Sequence, residues 1–218
     1  QAEDLTCGGN DHRFIGNVVQ DVAFETDDNG GFYSCGQRGQ AWISRGNVLQ
    51  GNTFRRVRAP ATLTLGHSIN SCAYFDDQIS GWSIDSNTFE DCQIGVMING
   101  GRENQVVGNS FTDCDSMLWF TCPGEGGEKK DAVPGGIDNE KARAAWGWES
   151  WRKRYGNISV DHPGVPVRNV FEGNRCCRCR NYFDPHGTPF AGFLDPKNGL
   201  LGTWRNNSNS SCPLRVEH

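Results

Sequence analysis

The residues best suited to chemistry in this chain are two adjacent carboxylates, Asp76 and Asp77, together with Arg102. Two carboxyl groups can share the hydrolysis of a glycosidic bond: one protonates the leaving oxygen, and the other activates water or attacks carbon. The same acids can instead hold Ca²⁺ while Arg102 or another base removes the proton beside a sugar carboxylate. We therefore predict Asp76, Asp77 and Arg102 as catalytic residues, with hydrolysis and elimination both open.

Four other side chains are predicted to bind the substrate, namely Tyr33, Arg38, His67 and Asn99. No cofactor or protein-bound metal is required by this scheme, and Ca²⁺ enters only in the elimination alternative. A structural alternative stays open, because Asp pairs often cap turns and Arg102 can form a salt bridge to acids on a neighbouring turn of the chain.

These residues are far apart in the sequence, so a repeating backbone must bring them together. Asn87 and Asn109 are 22 residues apart, which is the length of a solenoid coil of three short strands and three turns. Asn52 precedes Asn87 by one such coil plus an insertion. The repeated stretches are Gly51–Val57, Ser86–Cys92, Gly108–Cys114 and Arg168–Asn174, with a looser copy at Gly16–Val22.

The repeats predict a right-handed parallel β-helix. Each Asn is expected at a corner in the left-handed conformation, with its amide in a ladder between coils, and the Phe two residues later points inward. Stacked coils then bury a continuous apolar column that a single coil cannot bury. The similarity of Trp42–Asn47 to Trp82–Asn87 adds the prediction that Asn47, Asn87 and Asn109 are stacked.

The chain is predicted to be one all-β domain over residues 1–218. Coils are expected at about 10–120 and 166–176, with an insertion at about 121–165 and a disulfide-rich tail at 176–218. Within the insertion, a helix is expected near 139–155, ended by Gly156. Its aromatic residues Trp148, Trp151 and Tyr155 either clamp the helix onto the solenoid or form a platform for sugars.

The ten cysteines and three glycosylation sequons, at Asn157, Asn206 and Asn209, predict a secreted protein. Cys92 and Cys114 occupy equivalent positions on successive coils, so either a disulfide or two stacked thiols is expected. The Cys176–Cys179 stretch with His186 lacks a paired zinc knuckle and favours disulfides over a metal site.

Composition also excludes some classes of function. The net charge of −5 and the scattered basic residues give no stripe for a phosphate backbone, so no nucleic-acid partner is expected. No apolar run approaches the roughly 20 residues of a membrane span, so no membrane partner is expected either. The acidic stretch Glu25–Asp28 is interpreted as a turn or a second acidic site, and Asp184–Gly187 as a chance motif outside the coils.

Several stretches resemble the pectate-lyase-like family of right-handed β-helix proteins: Gly31–Ser34, Arg45–Asn47, Tyr74–Gly81, Asn99–Asn104 and Trp151–Gly156. The resemblance covers most of residues 10–175 and implies the β-helix fold. That family includes lyases, glycoside hydrolases, epimerases, adhesins and structural fibres, so the implied function is broad. Its members usually have further coils and a cap before the segment that corresponds to Gly30–Tyr33. The departure predicts an additional chain, or homo-assembly, at the N-terminal end of this solenoid.

Three functions follow as expectations. The first is a secreted enzyme that acts on a polysaccharide or glycan, as a glycoside hydrolase or uronate lyase. The second is a non-catalytic structural or assembly glycoprotein that uses the solenoid as a scaffold in a wall, matrix or fibre. The third is a carbohydrate-binding module without turnover.

Overall fold

The computed structural model describes residues 9–36, 44–59, 69–121, 148–156, 166–181 and 202–210. The predictions for Arg38, His67, Trp42 and Asp184–Gly187 lie outside these residues. In the described part of the chain, no helix has the length and hydropathy that a membrane crossing requires.

The described strands form three parallel sheets that the chain visits in turn, which is the architecture of a parallel β-helix. Sheet A contains β1 (Arg13–Ile15), β4 (Asn47–Gln50), β7 (Trp82–Asp85), β10 (Gln105–Val107), β13 (Asn169–Glu172) and β15 (Gly202–Arg205). Sheet B contains β2 (Val18–Val22), β5 (Thr53–Val57), β8 (Thr88–Glu90), β11 (Ser110–Thr112), β14 (Arg175–Cys177) and β16 (Ser208–Ser210). Sheet C contains β3 (Gly30–Cys35), β6 (Ser71–Asp76), β9 (Ile94–Asn99) and β12 (Ser116–Thr121). The all-β, parallel β-helix prediction is confirmed.

An asparagine ladder runs along the corner between sheets A and B. Asn87 Oδ1 accepts from the backbone N and from Nδ2 of Asn52, and Asn109 Oδ1 accepts the same two donors from Asn87. The ladder continues through Asn174 to Asn207. Each amide therefore satisfies buried backbone and side-chain groups that the turn would otherwise leave unpaired.

The left-handed residue at this corner precedes the asparagine, contrary to the sequence-based expectation. Gly51, Ser86 and Gly108 have φ values of 62°, 56° and 64°, respectively. Glycine adopts this conformation without the steric cost that a Cβ brings, which explains why it recurs there. The asparagines are recurrent because their amides bond between coils.

The predicted register was wrong at two repeats. Asn47 is stacked on Trp82 in sheet A, whereas Asn87 lies in the ladder with Asn52 and Asn109. Asn169 is stacked on Asn104 rather than on Asn109. Both corners use an Asn followed by a strand, so similar sequence stretches belong to two different sheets.

The core is a column of aromatic and aliphatic side chains inside the solenoid. Phe54, Phe89 and Phe111 are fully buried, and adjacent rings in this column are stacked with centroids 5.3 and 4.8 Å apart. Val57, Cys92 and Cys114 form a second inward column, as predicted. Of the two predicted alternatives, the Cys92–Cys114 disulfide is wrong, and the pair of stacked thiols holds only for Cys114. Cys92 is bonded to Cys72, and Cys114 is a free, buried thiol.

The C-terminal region adds to the solenoid and carries disulfides. Cys176 is bonded to Cys179, which agrees with the prediction of disulfides over zinc, and Cys177 is disulfide-bonded as well. Strands β15 and β16 stack on β13 and β14, so the coils extend into the segment predicted as a tail. Disulfides of this kind are typical of an oxidising compartment.

The one helix among the described residues, α1, covers Trp148–Tyr155. It ends at Gly156, whose φ is 87° and whose N–H donates to the Arg152 carbonyl at 2.8 Å, as predicted for a glycine cap. Its C-terminal end is held against the first coil, where Tyr155 Oη and Arg154 Nη2 lie 2.5 and 2.8 Å from Asp11 Oδ2. The side chains of Trp148 and Trp151 lie outside the description, so their predicted roles stay open.

Candidate functional site

The strands of sheet C end in a row of polar side chains on the outer face of the solenoid. Cys35, Asp76, Asn99 and Thr121 occupy equivalent positions on four consecutive coils. The preceding residues Phe75, Ile98 and Phe120 belong to the core. Because successive side chains on a strand point to opposite faces, the polar row points away from the core. Tyr74, Met97 and Trp119 lie on the same side of the sheet and are buried.

Asp76 is the hydrogen-bonding centre of this row. Its Oδ2 accepts from the Tyr33 hydroxyl at 2.5 Å, and its Oδ1 accepts from Asn99 Nδ2 at 2.6 Å and from the backbone N of Asp77 at 2.7 Å. The residue is 8% exposed. Three donors therefore direct their hydrogens at a largely buried carboxylate.

Asp77 begins a sharp turn of the chain after β6. Asp77 and Gln78 have φ values of 46° and 65°, and the backbone N of Ile79 donates to the Asp76 carbonyl at 3.0 Å. Two consecutive non-glycine residues in the left-handed region are uncommon, and such conformations cluster at functional sites. Asp77 is half-buried beside Asp76, with the Cys35 thiol 3.2 Å from its Oδ2.

Tyr33 borders the carboxylates on the first coil. Its side chain is half-exposed, and its ring packs edge-to-face on Tyr74 with centroids 4.9 Å apart. Partial burial, then the hydrogen bond to Asp76 and the nearby charges of Asp76 and Asp28, raise the pKa of the Tyr33 phenol far above its ordinary value. The hydroxyl thus remains a donor to Asp76 at neutral pH.

The predicted second acidic stretch supports this aromatic pair. The Tyr74 hydroxyl donates to Asp28 Oδ1 at 3.0 Å. Asp27 Oδ1 accepts from the backbone N of Asp28 and of Ile69, both at 2.9 Å. Asp27 therefore caps a turn, which was one of the two interpretations of the stretch Glu25–Asp28. Asp28 contacts Tyr74 next to the site.

Cys35, Asp76 and Asp77 each present one donor atom, and these three atoms lie within 4.8 Å of one another. Ca²⁺ takes six to eight oxygen ligands, whereas thiolates favour softer ions such as Zn²⁺. A thiol between two carboxylates fits the predicted Ca²⁺ alternative poorly. Asp76 is also already engaged by three hydrogen-bond donors.

Arg102 lies on the coil next to Asp76, three residues beyond Asn99. Its backbone N donates to Ser80 Oγ at 3.1 Å, which aligns it with Ser80 rather than with the acids. The residue is 0% exposed, so the prediction that placed it near the surface is wrong. The whole side chain, including its guanidinium, is therefore shielded from solvent.

The structure thus brings together Tyr33, Asp76, Asp77 and Asn99 from the predicted set. Arg38 and His67 lie outside the described residues. Two residues of the row, Cys35 and Thr121, were not predicted. The Thr121 hydroxyl contacts Asn99 Oδ1. Both residues end a strand in the same row as Asp76, and this position could have identified them. A cysteine and a threonine do not suggest a site until the register of the strands is known.

A comparison with protein-family models finds no match to this chain. Neither the curated proteins nor the solved structures contain a match.

Proposed function

We propose that this chain is a secreted β-helix protein that hydrolyses glycosidic bonds in a polysaccharide, with Asp76 and Asp77 as its paired carboxyl groups. The observation that carries the proposal is the hydrogen bond from the half-exposed Tyr33 to Asp76. It sets a partly exposed aromatic ring directly beside the Asp76 carboxylate, which Asp77 follows in the chain. Sugar sites in proteins combine such ring faces with a few converging polar groups.

The two carboxyl groups differ in their surroundings, and this difference assigns their roles. Asp76 receives three hydrogen bonds and acts as the carboxylate that attacks the anomeric carbon. Asp77, at the turn, donates its proton to the leaving oxygen as the glycosidic C–O bond breaks. Water then displaces the sugar from Asp76 and gives its proton to Asp77, which restores both groups.

The spacing of the pair favours retention of configuration. One oxygen of each residue lies within 4.8 Å of the other. Retaining enzymes hold their carboxyl groups about 5 Å apart, whereas inverting enzymes need about 6.5–9.5 Å to admit a water molecule. We therefore expect the first product to keep the anomeric configuration of the substrate.

Hydrolysis is favoured over elimination by the burial of Arg102. A lyase needs an accessible base beside the carbon that carries the sugar carboxylate. Arg102 is fully buried, so it cannot approach a polysaccharide in this structure. The resemblance to the pectate-lyase-like family, together with the disulfides, supports a secreted carbohydrate-active protein. The type of reaction is inferred from the site residues, because members of one fold catalyse different reactions.

A scaffold function is the second candidate. It is favoured by the three hydrogen bonds that already occupy the Asp76 carboxylate. A carboxylate with three donors and 8% exposure also suits a purely structural knot that fixes β3, β6 and β9. In that case Asp77 caps a turn and Tyr33 is an ordinary surface aromatic.

The experiment is a screen of neutral and acidic polysaccharides for release of reducing ends, followed by Asp77→Asn on any active substrate. We expect Asp77→Asn to lower the hydrolysis rate at least about a hundredfold, since general acid catalysis contributes on this scale. Its unfolding midpoint should be unchanged. Asp85→Asn is the matched control, because Asp85 is a half-buried acid on sheet A that accepts a hydrogen bond from Gln50. Absence of turnover across the screen, or full activity of Asp77→Asn, contradicts the proposal.

A further inference from the structure

Cys35, Asp76 and Asp77 form a cluster of metal-binding side chains at the end of sheet C. One donor atom from each residue, the Cys35 Sγ and a carboxylate oxygen of each aspartate, lies within 4.8 Å of the other two. The Cys35 Sγ is 3.2 Å from Asp77 Oδ2. Donor atoms bound to one tetrahedral Zn²⁺ lie about 3.5 Å apart, because Zn–S and Zn–O bonds are about 2.3 and 2.1 Å long. A contraction of about 1 Å therefore brings all three donors onto one ion.

The Asp76 carboxylate keeps one acceptor position for such an ion. An ionised carboxylate offers about four lone-pair sites on its two oxygens. Oδ1 accepts from Asn99 Nδ2 and from the backbone N of Asp77, and Oδ2 accepts from the Tyr33 hydroxyl. The second lone pair of Oδ2 is thus left for a metal bond. Hydrogen bonds of this kind orient metal-binding carboxylates, so the contacts from Tyr33 and Asn99 are compatible with a bound ion.

An independent observation comes from Gln78, which follows Asp77 in the same turn. The residue is 1% exposed, yet neither Oε1 nor Nε2 of its amide has a hydrogen-bond partner among the residues that the structure describes. Buried side-chain amides are normally paired with protein, water or an ion, because an unpaired polar group in the interior costs free energy. An ion bound beside Asp77, together with its water ligands, gives this amide a partner.

We propose that Cys35, Asp76 and Asp77 bind one Zn²⁺ ion. The amide oxygen of Gln78 or a water molecule held by it completes the site. The sulfur ligand decides the class of ion, because thiolates select Zn²⁺ over Ca²⁺ and Mg²⁺, which take oxygen ligands. Binding releases the thiol proton of Cys35 and replaces the contact between its Sγ and Asp77 by two metal bonds. Two carboxylates and a thiolate bring three negative charges together, and a divalent cation relieves their repulsion.

The ion also regulates hydrolysis, a consequence that rests on the proposed function. Zn²⁺ occupies the lone pair of Asp76 that attacks the anomeric carbon. It also holds Asp77 in its ionised form, so Asp77 has no proton for the leaving oxygen. The polysaccharide and Zn²⁺ therefore compete for the same carboxylate. Removal of the ion from zinc-loaded protein by a chelator should raise turnover at least tenfold, and added Zn²⁺ should restore the inhibition.

Titration calorimetry of the metal-free full chain with Zn²⁺ tests the site without any substrate. We expect micromolar or tighter binding of an ion that Cys35→Ser weakens at least about a hundredfold, since loss of a mere outer partner of a metal ligand costs about 10–100-fold. Ca²⁺ should not bind comparably. Asp85→Asn is the matched control, because Asp85 is a half-buried acid on sheet A, and it should bind Zn²⁺ like the unaltered chain.

Spectroscopy with Co²⁺ in place of Zn²⁺ identifies the sulfur ligand. A thiolate-to-cobalt charge-transfer band should appear in the unaltered chain and be absent from Cys35→Ser. No Zn²⁺ binding, binding that Cys35→Ser leaves unchanged, equal losses in Cys35→Ser and Asp85→Asn, or equal affinity for Ca²⁺ would each overturn the site. Zn²⁺ bound in a protein that hydrolyses no polysaccharide supports the site and contradicts only the proposed hydrolase. Hydrolysis that bound Zn²⁺ leaves unchanged would overturn the regulation.

Discussion

The hydroxyl of Tyr33 donates to Asp76 Oδ2 at 2.5 Å, across two coils and 43 positions of sequence. Through this contact, the half-exposed ring of the first coil is fixed relative to the buried carboxylate of the second. The same carboxylate binds Asn99 of the third coil. Asp76 is therefore the residue that ties three coils into one outer surface.

Tyr33 variants separate the roles of the ring and of the hydroxyl. Tyr33→Phe keeps the ring and loses the donor to Asp76, so we expect the KM for an active polysaccharide to change little and kcat to fall several-fold. Tyr33→Ala removes the platform and should raise KM at least tenfold, since aromatic contacts contribute about 1 kcal/mol or more. Steady-state kinetics measure both, and identical effects of the two variants would show that the ring does not contact the sugar.

Asn87→Ala should destabilise the solenoid by about 3 kcal/mol, because it removes several buried hydrogen bonds and leaves groups unpaired. The variant deprives Asn52 of the acceptor for its N–H and Nδ2, and Leu49 of the donor to its carbonyl. Urea unfolding measures the loss. Asn17→Ala at the exposed end of the same ladder is the control and should cost less than about 1 kcal/mol, and equal losses would contradict the ladder argument.

The two free thiols among the described cysteines should react differently with an alkylating reagent. Burial raises the pKa of the Cys114 thiol to about 12, so it is both protonated and inaccessible at pH 8. Cys35 is partly exposed on β3. Mass spectrometry of peptides from native protein should find iodoacetamide on Cys35 and none on Cys114, and denatured protein should carry it on both. Early labelling of Cys114 would contradict its place in the core.

Stability should fall in alkaline solution because of Tyr74. Burial, then the charges of Asp76 and Asp28, raise the pKa of its phenol far above the ordinary value of 10.0. The unfolded chain loses this proton near pH 10 while the folded chain retains it, so the stabilising contribution is complete below pH 10 and decreases above it. Urea midpoints between pH 8 and 11 measure the decrease. Tyr74→Phe should reduce the decrease without abolishing it, because the raised pKa of Tyr33 acts in the same direction. An unchanged slope would show that Tyr74 does not control alkaline unfolding.

The sequence alone determined the fold, because the physics of a solenoid is local and repeated. An Asn at a corner and inward side chains two and five residues later recur in Asn52, Asn87 and Asn109, and these features need only short-range geometry. The adjacent acids Asp76 and Asp77 could also be identified, since neighbours in sequence are neighbours in space. Stacking of their coil on those of Tyr33 and Asn99 followed from the repeat.

Tertiary structure decided what depends on register and burial. Two corners carry similar Asn-containing stretches, so only the observed pairing separates Asn47 and Asn169 from the ladder of Asn87. Disulfide choice depends on side-chain direction, which joined Cys92 to Cys72 instead of Cys114. Exposure of Arg102 depends on what packs around it, and a corner residue that is polar in sequence became the largest of the fully buried side chains. Chain pairing and burial are properties of the whole stack, and a single repeat does not contain them.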